Sequence, residues 1–156
     1  MFWIEKIQRV KNKFPPSSFK DPFREGNKII EKIIVRLLNS TWLNFHNSLT
    51  RETLIRNGRL LKTCTIKQLY TDELPRLDID INFWLFLVNI PLATDFRVYD
   101  CKYEPLRELL YLSSGQPHQE FFIVDKKYSW LLYFKVDKMK DSVEIYGTEN
   151  LPIATL

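Results

Sequence analysis

The chain has 156 residues, enough for one domain with a single sizeable core. Four Trp, seven Tyr and eleven Phe against only four Gly argue for a packed interior, and against both disorder and phosphate-cradling loops. The net charge of +4 hides an asymmetry: residues 1–70 carry 14 basic and 5 acidic side chains, residues 71–156 carry 9 and 14. A basic half attracts phosphates or an acidic partner, unless the two halves neutralise each other across the folded surface.

The segment from Met1 to Lys6 lacks the continuous apolar stretch of a signal peptide. No apolar run approaches the ~20 residues needed to span a bilayer; the longest, Phe83 to Val88, is strand-sized. Cys64 and Cys101 are far apart, and no Cys/His cluster has metal-ligand spacing. Together these features predict a cytoplasmic protein with reduced thiols and no cofactor.

Residues 2–14 predict a short amphipathic helix. Phe2, Trp3, Ile4, Ile7 and Val10 share one side, and Lys6, Arg9, Lys11 and Lys13 lie away from it. Such a basic helix packs on its own domain or lies on an anionic membrane. Pro15 to Ser18 ends it in a loop. Residues 23–39 carry the clearest helical pattern, with Ile29, Ile30, Ile33, Ile34, Leu37 and Leu38 paired every four residues. Asp21-Pro22 offers its N-cap and first-turn proline, and the pattern can run on through Trp42 and Phe45.

Residues 48–74 are open between helix and strand. Thr50 to Arg56 reads as a helical turn ended by Asn57-Gly58, and Arg59 to Thr65 equally as a strand. Thr65 and Gln68 stand at capping-box spacing before a short helix. Strands then follow at 80–88 and 95–100, a helix at 104–112 with Pro105 in its first turn, and a last strand at 142–147.

Residues 119–125 and 129–136 form the strongest signal, two apolar runs around Asp125-Lys126-Lys127, which is the pattern of a β-hairpin. Trp130, Leu132, Phe134 and Val136 alternate with Leu131, Tyr133 and Lys135, so large apolar groups stand on both faces. The expected fold is α+β: N-terminal helices packed on a mainly antiparallel four- to five-stranded sheet with one inserted helix. Helix 23–39 is expected over the Leu132 face, and helix 104–112 over the Tyr133 face or leaving it partly open.

Chemistry is harder to find. His46 and His118 have no partner at readable spacing, and no Walker loop, dinucleotide fingerprint, zinc pattern, EF-hand or nucleophile elbow is present. The sharpest enzymatic pattern is a metal-dependent nuclease. Asp78 and Asp80 would stand at the mouth of one strand and Asp100 at the end of the next, with Lys102 beside the attacked phosphate, as in the acidic-x-Lys arrangement of restriction-like nucleases. Asp125-Lys126-Lys127 matches the same short pattern as a plain turn. Tyr70, Tyr99, Tyr128 and Tyr133 are candidates for base stacking or for the sheet core.

The run Phe96 to Asp100, the helix 104–112 and the hairpin Glu120 to Leu132 resemble small uncharacterised bacterial α+β domains with a tyrosine-isoleucine-valine, basic turn, tryptophan-leucine-leucine hairpin. Some of these resemble the immunity proteins of toxin–immunity systems. The resemblance covers about residues 80–147. The histidine pair that follows the tryptophan strand in that group is replaced here by Lys135 to Lys138, so a site built on those histidines does not transfer. The resemblance implies a non-enzymatic protein that binds a cognate toxin by shape and charge. Its acidic half would meet a basic toxin through Asp95, Asp100, Glu104 and Glu108, with Tyr133 as an aromatic contact. The alternative is a nuclease or nucleic-acid binder using the basic half.

Overall fold

A computed structural model describes residues 3–20, 26–37, 59–87, 98–112 and 118–148. Its elements in chain order are α1 (Trp3–Lys13), β1 (Phe19–Lys20), α2 (Gly26–Leu37), β2 (Arg59–Cys64), α3 (Ile66–Gln68), β3 (Phe83–Leu87), β4 (Val98–Cys101), α4 (Tyr103–Leu112), β5 (His118–Asp125), β6 (Leu131–Asp137) and β7 (Ser142–Gly147). The possible helix extension through Trp42 and Phe45, the turn at 50–58, Asp95 and His46 lie outside the described residues.

The fold is α+β, but its sheet has seven strands in the order β1-β4-β3-β5-β6-β7-β2 rather than four or five. All pairings are antiparallel. The additional strands are the two edges. β1 is two residues long and pairs Phe19 with Cys101; β2 is the 59–64 segment that propensity left open, and it pairs with β7. A register shift between Leu60 and Lys62 bends β2, a common way to blunt an exposed edge.

Strand alternation gives the sheet two apolar faces. Leu85, Tyr99, Phe121, Ile123, Leu132, Phe134 and Ile145 lie on one, against Ile7 and Val10 of α1 and Leu106, Leu109 and Leu110 of α4. Phe86, Val98, Phe122, Val124, Leu131 and Tyr133 lie on the other, against Ile33 of α2. The covering helices are therefore exchanged relative to the sequence expectation. β4 and β5 run parallel with β3 between them, and α4 bridges the two. The hand of that crossover, not the periodicity of α4, selects the face it covers.

Aromatic contacts unite each face. Phe121 and Phe134 stack at 4.7 Å directly across β5 and β6. On the other side Phe86, Phe122, Tyr133 and Tyr146 are mutual register partners on four successive strands, with ring centroids 5.9, 4.6 and 5.7 Å apart. Such cross-strand pairs are the unit of sheet stabilisation. Ile33 is fully buried under α2, and truncating a residue of this kind to Ala costs roughly 2–5 kcal/mol.

Local chemistry closes the turns. Asp125 accepts from the backbone N–H of Ser129 at 2.5 Å and of Trp130 at 3.2 Å, and from the Ser129 hydroxyl. These bonds hold Tyr128 at φ 56, a region costly for a residue with a Cβ. The Thr65 capping box forms as its spacing predicts: Thr65 Oγ1 accepts from Gln68 N, and Gln68 Oε1 from Thr65 N. One α1 residue departs from expectation. Lys6, placed with the polar side by its spacing, is buried at 1% exposure. Burial and the neighbouring Lys138 ammonium push its pKa down.

Candidate partner-binding cleft

α4 is amphipathic with two unlike faces. Leu106, Leu109 and Leu110 enter the core, and Glu104, Arg107, Glu108 and Tyr111 form the opposite stripe at i, i+3, i+4 and i+7. This stripe opens on a cleft of about 730 Å³ whose other wall is Lys13 and Phe14 from the end of α1 and Tyr70 from the turn after α3.

The wall is positioned by backbone bonds. Pro15 cannot continue α1, and its carbonyl accepts from Ser18 N at 2.9 Å and Phe19 N at 3.1 Å. Ser18 O then accepts from Lys102 N at 2.9 Å, which ties the loop to the start of α4. Lys13 Nζ completes the bridge with a 3.1 Å ion pair to Glu108 Oε1. The turn carrying Tyr70 is one π-helical turn over Leu69–Glu73, anchored by the buried Leu69 and Leu74.

The cleft is preformed and chemically mixed. Phe14 and Tyr70 are half-buried against the core, whereas Tyr111 stands out at 72% exposure. Burial pushes the Tyr70 phenol pKa up, with Arg107 partly offsetting it, so the hydroxyl stays neutral and available for hydrogen bonding. Glu104 is exposed beside these groups. The lining can hold an aromatic or aliphatic side chain between rings and a cation against carboxylate; among its described residues no nucleophile is paired with a base.

No protein-family model, curated protein or solved structure matches this chain.

The sequence-predicted residues divide between the two sides of the sheet. Glu104 and Glu108 share the cleft. Asp100 alternates onto the α2 side, where its carboxylate meets Lys126 Nζ at 2.7 Å and Asn82 Nδ2 at 2.8 Å. Tyr133 is on that side too and is fully buried, so it presents no contact surface. Its neighbours include Phe122, Tyr146 and the Glu120 carboxylate.

The nuclease candidates do not gather. Asp78 Oδ1 caps its own turn by accepting from Asp80 N at 2.9 Å, and both residues are exposed. Lys126, not Lys102, neutralises Asp100, and it also lies 4.6 Å over the Trp84 ring. Among the described residues no group of three His, Cys, Asp or Glu side chains is placed to hold a metal ion. No helix among them is long and apolar enough to cross a membrane.

Sequence reasoning missed Lys13, Phe14, Tyr70, Arg107 and Tyr111 as members of one site. The i, i+3, i+4, i+7 stripe on α4 was available as a signal. Lys13, Phe14 and Tyr70 had none, because their approach to α4 is a tertiary event.

Proposed function

We propose that this chain is a non-enzymatic protein-binding module, an immunity protein that neutralises a cognate bacterial toxin by occlusion, and that the cleft between α1 and α4 is its docking surface. The observation that carries the reading is the convergence of Glu104, Glu108 and Tyr111 on one preformed cleft with Phe14 and Tyr70. Occlusion needs a rigid, complementary surface and no reacting group. Protein interfaces concentrate their energy in a few buried anchors, with Tyr and Arg over-represented. Here the rings offer apolar contact, and Glu104 offers a charge to a basic toxin side chain. Glu108 is partly neutralised by Lys13, so Glu104 supplies the stronger field at the cleft mouth. The resemblance of the 80–147 segment to immunity-type domains points the same way.

The test mixes the purified protein with the product of its adjacent gene and follows both by size-exclusion chromatography. A stable complex is expected, weakened at least tenfold by Glu104→Lys with Tyr111→Ala while circular dichroism stays unchanged. Elution as two separate species would sink the proposal.

A further inference from the structure

The outer face of α2 carries a row of cations on the opposite side of the sheet from the cleft. Lys28, Lys32 and Arg36 are all exposed and stand four residues apart, next to the inward-facing Ile29, Ile33 and Leu37. At 1.5 Å per residue the row is about 12 Å long. Tyr128, in the turn between β5 and β6, lies against it: Lys32 Nζ is 5.7 Å and Arg36 Cζ 5.5 Å from its ring centroid. Lys127, also exposed, precedes that ring. With Glu31 and Val35, the row lines a shallow recess of about 360 Å³.

We infer that this face binds the phosphate backbone of single-stranded nucleic acid. Three exposed cations at a spacing of four residues concentrate positive charge along one side of the helix, which the regular negative charge of a phosphate backbone matches. Cations interleaved with an aromatic ring are the combination used to hold single strands, the cations tracking phosphates while a ring or a guanidinium plane meets the bases. An acidic protein surface suits the face less well. Lys32 and Arg36 cover Tyr128, and among the described residues Val35 is the one apolar side chain lining the recess, a poor match to the apolar, desolvated centre on which protein interfaces depend. Lys126 takes no part, because Asp100 already neutralises it.

The experiment is fluorescence anisotropy with a labelled oligothymidylate across a salt series. Binding is expected to weaken steeply with salt. Lys28→Gln, Lys32→Gln and Arg36→Gln together should weaken it at least tenfold and make the slope of log K against log salt shallower by about 2, since each single-strand phosphate contact contributes about 0.7. A control triple with the same charge change elsewhere, Arg9→Gln, Lys67→Gln and Lys140→Gln, should leave most of the binding. Tyr128→Asn, which tolerates the left-handed backbone but removes the ring, should weaken binding further than Tyr128→Phe. The inference is overturned by no binding at low salt, by equal losses in the two triples, or by tighter binding to an acidic peptide than to the oligonucleotide. It does not rest on the toxin-binding proposal, whose variants lie across the sheet.

Discussion

Tyr133 donates its hydroxyl to Glu120 Oε1 at 2.7 Å, diagonally across the β5–β6 ladder, and both side chains are buried. An aromatic residue that looks like a partner contact in the sequence is thereby an internal strut with its polar tip satisfied. A buried hydroxyl bonded to a carboxylate is a charge-assisted contact, stronger than a neutral one.

Tyr133→Phe should keep the ring packing between Phe122 and Tyr146 and lose that bond. The expected cost is about 1–2 kcal/mol in urea unfolding. Partner binding should be unaffected, because the residue is enclosed. A variant with wild-type stability but impaired complex formation would return Tyr133 to the interface.

Glu73 is 1% exposed and pairs with Lys62, with Arg76 3.9 Å away. It links the π-helical turn bearing Tyr70 to the edge strand β2. Glu73→Ala should destabilise by about 2 kcal/mol, less than for a fully enclosed pair because Lys62 keeps contact with solvent. The double variant Lys62→Met with Glu73→Leu should recover most of that loss, since an apolar pair avoids the desolvation of two charges. If each single change is as mild as the double, the pair contributes nothing specific.

Cys101 is fully buried, and burial first, then the neighbouring Asp100, pushes its thiol pKa well above its ordinary value of 9.0, with the Leu106 backbone N–H partly offsetting. The folded state therefore keeps the thiol protonated above pH 9 while the unfolded chain ionises there. The unfolded chain then binds fewer protons, so this residue's contribution makes stability fall as pH rises from about 9. Cys101→Ala should unfold more easily at neutral pH, through its cavity, and show a shallower alkaline decline. Alkaline chemical denaturation of the two proteins measures the difference; parallel declines would contradict the assignment. Cys64 is also buried with a raised pKa, so both thiols should resist alkylation until the protein unfolds.

Local periodicity determined much of this molecule. The β5–β6 hairpin and the alternation of Leu132 with Tyr133 follow from period-two patterning around Asp125, because the residues that pair are close in the chain. α2, α4 and the Thr65 capping box follow from spacing over three to four residues. The acidic pair Glu104 and Glu108 was visible for the same reason: four residues on one helix share a face.

Tertiary structure decided the rest. β1 is a strand only because Phe19 meets Cys101, and β2 because Cys64 meets Val143, pairings far too remote for any local pattern to register. Lys6 entered the interior through the seating of α1, against its own polarity. Asp100 and Glu104, four residues apart in sequence, ended on opposite sides of the sheet. Strand alternation turns one toward α2, and the crossover carries the helix bearing the other to the far face. Sequence spacing encodes which residues share an element. Which elements share a side of the sheet is set by how the chain crosses over it, and that geometry is what joins Lys13, Phe14, Tyr70 and Tyr111 in one cleft.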